Sequence, residues 1–276
     1  MTGLPWDGRI DACDLAWARI GVGVAALGEG VYATLLFDRA TTPGVLRVPV
    51  VDWLPAPSSM LVLIMGALWL AAAGGFAVGF RTRTSGTVLA ATMAFTLMLD
   101  LQFYSNHLYL LALLVVLLTA ANAGGYRSFD SGAGRAPHAS PVWGVFLLRA
   151  QVSIVYVFAA LSTVKLAYAS EAILAASFRR TGALAIPDGW LTPDLVGALA
   201  AASIFVELWL AIALWSPRRR RAATLVGAAY HAALTALAAE GLALAIFGLA
   251  MLSAYAAFYV PLPLTASRLE LEEGVA

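Results

Sequence analysis

The sequence predicts an all-α integral membrane protein, a helical bundle that crosses the bilayer about eight times with both termini in the cytoplasm. Hydrophobic residues make up 61% of the 276 residues and charged residues only 12%, and the mean hydropathy is +0.83. An average soluble domain carries about 25% charged residues. The apolar runs are continuous, whereas the strands of outer-membrane barrels alternate between apolar side chains that face lipid and polar side chains that face the lumen. A water-soluble fold cannot bury so much apolar surface.

Eight apolar runs predict the membrane spans, since about 20 helical residues cross about 30 Å of hydrocarbon. Prolines lie in the gaps between runs, as at Pro55 and Pro187. No internal repeat stands out, so we expect one transmembrane domain over 1–276 and no separate soluble domain. The predicted spans are 15–37, 58–80, 87–103, 107–122, 142–166, 194–216, 222–239 and 242–260.

The arginines predict the orientation, because cytoplasmic loops retain Lys and Arg. With the turn Arg218–Arg221 inside, the alternation of spans places ten arginines in inside segments and four in outside loops. This arginine turn is interpreted as a topology anchor, with binding of anionic lipid as the alternative. The formal net charge of +1 gives no reason to expect a nucleic-acid partner, whereas membrane lipid is an expected one.

Metal binding is not expected. The single cysteine, Cys13, excludes a cysteine-based metal cage and an internal disulfide. His107 and His231 are interpreted as structural histidines, because no third ligand recurs at a suitable spacing.

Ionisable residues within the apolar runs are the candidates for function, because a charge at the bilayer centre costs about 2.5–3.5 kcal/mol. Arg149 and Glu207 are interpreted as a buried pair or a network that fixes the topology. A rise of about 1.5 Å per residue places a further set towards the outer ends of their spans. We therefore hypothesise one polar pocket in the outer leaflet. Its members would be Asn106, His107, Lys165, His231 and Glu240.

Lys165 is the single lysine among 17 basic residues. An arginine stays protonated, whereas a lysine deprived of water can lose its proton and act as a base. A lysine at the end of a span also commonly extends its ammonium group to the lipid headgroups. The residues alone leave both interpretations open.

Four segments between Leu101 and Phe258 carry a family resemblance. They are Tyr104–Leu110; Leu148–Tyr156, followed by Lys165-Leu166; Glu207 with Tyr230-His231; and the aromatic stretch Phe247–Phe258. Their order and spacing resemble the membrane part of the vitamin K-dependent gamma-carboxylases, the horizontally transferred transmembrane (HTTM) domain. The first segment is similar to the family's NH-x-YL, and the second to its LR-x-Q-x-x-IVY with the KL that follows. The N-terminal spans fit less distinctively.

The resemblance implies an enzyme in which a lysine deprotonates reduced vitamin K, and oxygenation then yields a strong base for glutamate carboxylation. If the family's residue roles apply at the matching positions here, Lys165 would be that base, with His107 as a helper oriented by Asn106. Such an enzyme would take reduced vitamin K or another naphthoquinone as cofactor and a peptide or protein as substrate, in a bacterial cytoplasmic membrane. The residues expected to bind the cofactor are His231, Tyr156, Glu207 and Arg149.

The spacing after Tyr156 decides whether Lys165 can serve as that base. The family lysine falls seven residues after the tyrosine, which is Thr163 here, whereas Lys165 lies nine residues after it. Two extra residues rotate a side chain by about 200° on a regular helix. A π-bulge in Ala160–Val164 would absorb part of the shift. Without it, the base is absent.

Two other functions remain open. The first is a non-catalytic membrane partner or a maturation factor for an exported peptide, which keeps the fold and has lost the chemistry. The second is a transporter, which is less favoured because no inverted repeat or broken-helix pair is found. The large luminal domain of animal carboxylases is expected to be absent, because Ala276 follows soon after the last span.

Overall fold

The computed structural model describes residues 8–35, 57–99, 104–169, 188–238 and 240–262, and these residues are predominantly helical. Strands β1 (Arg9–Asp11) and β2 (Ala139–Pro141) pair antiparallel. Single 3-10 turns span Ala123–Gly125, Asp188–Trp190 and Tyr255–Tyr259. The α-helices of the described part are α1 Leu15–Leu35, α2 Ser59–Val78, α3 Thr82–Leu99, α4 Asn106–Ala120, α5 Phe129–Gly132, α6 Val142–Ala169, α7 Pro193–Ala213, α8 Arg220–Leu237 and α9 Gly241–Ala254.

Four of these segments are long and apolar enough to cross a membrane, namely Ser59–Val78, Val142–Lys165, Pro193–Ala213 and Gly241–Tyr259. The predicted all-α class is confirmed. Helices α1, α3, α4 and α8 occupy the other four predicted positions. The full number of eight spans and the cytoplasmic placement of both termini stay predictions.

The chain forms two compact units, one comprising Met1–Leu148 with Tyr259–Ala276 and the other Arg149–Phe258. We refer to them as unit 1 and unit 2 and describe each by itself. The single domain over 1–276 stays a prediction.

Unit 1 is built on close helix packing. Helix α1 contacts α2 and α4, and α3 contacts α2 and α4. A β-carbon on Gly23 of α1 would lie 2.7 Å from Ala77 of α2, so this glycine allows the two backbones to approach closely. The Trp69 indole N–H donates to the Ala26 carbonyl at 2.8 Å. Small residues and one buried hydrogen bond therefore join α1 to α2.

Asp130 determines where α3 begins. Its carboxylate accepts hydrogen bonds from the Thr82 backbone N–H (2.6 Å), the Thr82 hydroxyl (2.8 Å) and the Arg81 N–H (3.0 Å), and it pairs with Arg135 at 3.1 Å. A carboxylate 48 residues away in sequence thus satisfies the first N–H groups of the helix, which lack partners of their own. Helix α3 begins at Thr82, five residues before the start predicted from hydropathy.

The Asp130 contacts predict a measurable pH dependence. Burial by itself raises the pKa of the Asp130 carboxyl, but hydrogen bonds from Thr82, Arg135 and Arg81 together hold that pKa below its ordinary value. A carboxyl with a lowered pKa stabilises the fold above its unfolded value of about 3.9, and loses this effect as the pH falls through the folded value. We expect Asp130→Asn to lower the unfolding midpoint in detergent at neutral pH, and the gap to wild type to close below about pH 4. A gap independent of pH would contradict this role.

Unit 2 contains α7, α8, α9 and the part of α6 that follows Leu148. Helix α8 contacts α7 and α9. The Ser153 hydroxyl on α6 donates to the Ala211 carbonyl of α7 at 2.9 Å and accepts from the Trp215 indole N–H at 2.8 Å. Hydrogen bonds therefore tie α6 to the end of α7.

Helix α6 is continuous from Val142 to Ala169 and keeps α-helical hydrogen bonding through residues 160–164. The π-bulge that would bring Lys165 into the family register is therefore absent from this helix. Thr163 lies within about 20° of Tyr156 around the helix axis, and Lys165 lies about 180° away. The exposures agree, since Thr163 is half-buried and Lys165 is exposed.

Candidate functional site

Unit 2 holds a buried polar network, which we define by Tyr156 of α6, Ser203 and Glu207 of α7, Tyr230 and His231 of α8, and Tyr255 of the last 3-10 turn. Glu207 and His231 are 5% and 3% exposed. Polar side chains in a segment apolar enough to enter a membrane usually face one another or a polar cavity. The network therefore requires a partner for each of its polar atoms.

One half of the network joins two phenols to an imidazole. The Tyr156 hydroxyl lies 2.9 Å from His231 Nε2 and is also hydrogen-bonded to the Tyr255 hydroxyl. Both tyrosines are fully buried. Tyr156 thus occupies the centre of a chain of three groups that can exchange protons.

The other half surrounds a carboxyl group. The Tyr230 hydroxyl donates to Glu207 Oε1 at 2.5 Å and lies 2.6 Å from the Ser203 hydroxyl. The rings of Tyr230 and His231 approach edge to face, with centroids 5.7 Å apart. The two halves are therefore in direct contact along α8.

Two atoms of the network have no hydrogen-bond partner among the described residues, Glu207 Oε2 and His231 Nδ1. A buried polar atom without a partner costs about 1–3 kcal/mol, so each such atom in a folded protein calls for an explanation. These two unpaired atoms can accept or donate a hydrogen bond to a bound molecule.

Two glycines make room for the network. A β-carbon on Gly227 would lie 2.4 Å from the Tyr255 hydroxyl oxygen, and one on Gly248 would lie 3.1 Å from the His231 β-carbon. Gly227 precedes His231 by four residues and so lies on the same face of α8. The Tyr255 ring fits against α8, and the His231 ring against α9, because Gly227 and Gly248 lack side chains.

Tyr156 and Glu207 lie well beyond the first turns of their helices. At about 1.5 Å per residue, Tyr156 is about 21 Å from the start of α6, and Glu207 is about 21 Å from the start of α7. Both helices are long and apolar enough to cross a membrane. The network is thus placed at membrane depth within these helices.

A family model described as the HTTM domain matches residues 8–261. The chain belongs to the HTTM family. This match confirms the resemblance predicted from the sequence and extends it to the N-terminal helices. No solved structure matches the chain.

Three of the residues expected to bind a cofactor in this HTTM protein, Tyr156, His231 and Glu207, come together in the network. The fourth, Arg149, donates hydrogen bonds to the backbone of the last 3-10 turn. Its Nε donates to the Ala257 carbonyl at 2.9 Å and its NH2 group to the Phe258 carbonyl at 3.2 Å. The pairing of Arg149 with Glu207 and the role of Arg149 as a cofactor ligand both stay predictions.

The three residues predicted to be catalytic are distributed over both units of the HTTM chain. Asn106 begins α4 in unit 1 and is exposed, and His107 beside it is half-buried. The Ser105 hydroxyl caps this helix by accepting from the Leu108 N–H at 3.0 Å. Lys165 belongs to unit 2, on the face of α6 opposite Tyr156. Their catalytic roles, and the convergence of these residues with Glu240 in one pocket, stay predictions.

Sequence reasoning did not include Ser203, Tyr230 and Tyr255 in the site of this HTTM protein. Ser203 and Glu207 are four residues apart, a spacing that places both on one face of α7. Tyr230 immediately precedes His231. The four-residue spacing and the adjacency to His231 could have identified Ser203 and Tyr230 from the sequence. Only the fold brings Tyr255 to Tyr156, 99 residues away.

Proposed function

We propose that this HTTM protein binds a quinone-class lipid, such as reduced vitamin K or another naphthoquinone, at the polar network of unit 2 in a bacterial cytoplasmic membrane. The observation that carries the proposal is the pair of unpaired buried atoms, Glu207 Oε2 and His231 Nδ1, beside two hydrogen-bonded phenols. The chemistry we propose for this site is carboxylase- or epoxidase-like, and the resemblance to the gamma-carboxylases supports it.

The residues of the network suit a quinol. A quinol hydroxyl donates one hydrogen bond, and Glu207 Oε2 accepts hydrogen bonds. Ligand sites typically combine apolar walls with a few polar groups that fix the orientation. An isoprenoid tail would reach a site at this depth directly from the lipid.

The chain of hydroxyl and imidazole groups provides for proton movement. Tyr156 can donate to His231 Nε2 while accepting from Tyr255, so a proton can pass between these three groups without bulk water. Histidine is the side chain that enzymes use most often as a general base, and it must lie within hydrogen-bond reach of the proton that it takes. When bound, the reduced quinone would supply, after oxygenation by O2, the strong base with which the family carboxylates glutamate, so a peptide or protein is the proposed substrate. Lys165, with His107 and Asn106, is the alternative base set.

The binding proposal is tested with purified protein in detergent and reduced menadione as the probe. We expect Glu207→Gln and His231→Gln each to weaken binding about tenfold, because each removes a hydrogen bond to the ligand worth about 1.4 kcal/mol. Tyr109→Phe is the matched control, since this tyrosine is 49% exposed on α4. Equal affinities in all variants would rule out the network as the quinone site.

The second candidate is a non-catalytic membrane partner or a maturation factor for an exported peptide. It is favoured by Thr163, which takes the family's lysine position on the Tyr156 face of α6, and by Lys165, which faces the opposite way. The Thr163 hydroxyl donates to the Ala159 carbonyl at 3.1 Å, as an ordinary helical threonine does.

Two substitutions on α6 separate the candidates in an assay of oxygen-dependent oxidation of the reduced quinone. If the protein is an enzyme that uses Lys165, Lys165→Ala abolishes turnover. If the protein has lost the base, wild type and Lys165→Ala are equally inactive, and Thr163→Lys gains turnover. A fully active Lys165→Ala would support catalysis through the network, independently of Lys165.

A further inference from the structure

A cleft of about 500 Å³ opens on the surface of unit 1 where α2 ends. Its wall comprises Val78, Arg127, Ser128, Phe129, Gly132 and Ala133. Helix α2 is long and apolar enough to cross a membrane and ends at Val78. The cleft therefore lies where a membrane helix ends, at the depth expected of lipid headgroups.

Arg19 lies directly behind this wall. It is fully buried, and its NH2 group donates to the Arg127 carbonyl at 2.6 Å. Its NH1 atom would be 1.8 Å from a β-carbon on Gly79, a position that Ser128 also contacts. Among the described residues, Arg19 Nε and NH1 have no hydrogen-bond partner. A buried guanidinium group with two unpaired donors thus adjoins the cleft.

The surroundings of the cleft are basic. At this end of unit 1 the described segments 8–19, 79–83 and 121–141 contain six arginines and three aspartates. Asp130 is already bonded to α3 and Arg135, and Asp11 accepts from the Tyr126 hydroxyl at 2.8 Å. Arg127 is exposed, and its guanidinium carbon lies 4.7 Å from the centre of the Trp17 ring. Positive charge is therefore in excess beside the cleft.

Apolar side chains stand beside the same opening. Phe129 is 63% exposed, and Val78 and Phe80 are 49% and 50% exposed. A free anion in water would not cover these side chains, whereas the glycerol and upper acyl carbons of a phospholipid would. The combination of excess positive charge, unpaired guanidinium donors and exposed apolar surface indicates the headgroup region of an anionic lipid.

We propose that this cleft binds the headgroup phosphate of an anionic phospholipid, held by Arg127 at the surface and by the buried charge of Arg19 behind it. The site is separate from the polar network of unit 2, so it stands whether or not the proposed quinone binding is correct.

Native mass spectrometry of the full chain in detergent tests the proposal, with phosphatidylglycerol, phosphatidylcholine and inorganic phosphate as probes. We expect retention of phosphatidylglycerol in preference to phosphatidylcholine. Arg127→Gln should weaken that binding about fivefold, the effect typical of one basic residue near an anionic membrane surface. Arg83→Gln removes the same charge from an exposed residue of unit 1 that lies outside the cleft wall, and it should weaken retention less than Arg127→Gln.

Three results would overturn the proposal. Equal loss in Arg127→Gln and Arg83→Gln would mean that net charge alone attracts the lipid. Equal retention of the two phospholipids would mean that the cleft does not recognise anionic charge. Displacement of phosphatidylglycerol by inorganic phosphate alone would assign the cleft to a soluble anion. Arg127 has an exposed side chain, so its substitution leaves the fold intact and each outcome interpretable.

Discussion

Gly79→Ala is expected to destabilise the protein by about 3 kcal/mol or more, whereas Gly134→Ala should cost about 1 kcal/mol. Both glycines adopt the left-handed conformation, with φ of 73° and 65°, so both alanines would have similar backbone strain. The difference comes from the surroundings. A β-carbon on Gly79 would lie 1.8 Å from Arg19 NH1 and 2.2 Å from the Ser128 β-carbon, whereas one on Gly134 meets nothing within 4 Å.

The overlap at Gly79 cannot be relieved by a small movement. Arg19 is fully buried, and a shift of its guanidinium group would break its hydrogen bond to the Arg127 carbonyl. Overpacking of a tight contact typically costs about 1–3 kcal/mol in addition to backbone strain. Thermal unfolding of both variants in detergent measures the difference. Equal midpoints for the two alanine variants would mean that the contact with Arg19 contributes nothing to stability.

Arg149→Leu is the second change with a large expected effect, a loss of about 3–5 kcal/mol in the free energy of unfolding. Arg149 is 4% exposed and donates to the carbonyls of Ala257 and Phe258 in the last 3-10 turn. Leucine would leave both carbonyl groups buried and without this donor, and each unpaired polar group costs about 1–3 kcal/mol. The contacts of the guanidinium group with the Trp215 and Phe258 rings, 5.9 and 5.7 Å from their centres, would also be lost.

The choice of leucine makes the Arg149 experiment decisive. Leucine enters a membrane more readily than arginine, so a fall in folded yield cannot result from poorer insertion. Arg83→Leu, at an exposed position on α3, controls for the loss of a positive charge. The measurements are folded yield and the unfolding midpoint in detergent. Unchanged values for Arg149→Leu would show that the last 3-10 turn does not depend on this arginine.

The positions of the helices were predictable from hydropathy because the membrane imposes one requirement on every span. Each needs a continuous apolar run that satisfies its own backbone hydrogen bonds. Helices α2, α6, α7 and α9 follow this rule closely. The start of α3 departed from it because a carboxylate in another segment, Asp130, supplies the first hydrogen bonds of the helix. No hydropathy scale contains such a remote cap.

The candidate site was predictable only in part. Tyr156, His231 and Glu207 were identified from the family resemblance, Glu207 and His231 also because ionisable groups in apolar runs need partners, and the fold does bring these three together. Tyr255 was not identified, because a tyrosine at the end of an apolar run is common. The backbone carbonyls that Arg149 bonds were not predictable either, since a sequence shows that a buried charge needs a partner and does not show which one.

Composition and motif order by themselves determined that this is a helical HTTM protein, because apolar run length and the spacing of polar landmarks are properties of the chain. The tertiary structure decided which polar groups share partners. It placed Thr163, in place of Lys165, on the Tyr156 face of an unbroken helix, and it left Glu207 Oε2 and His231 Nδ1 without partners among the described residues. The physical reason is that a hydrogen bond depends on distances of about 3 Å between atoms, and only the packing of helices distant in sequence sets those distances.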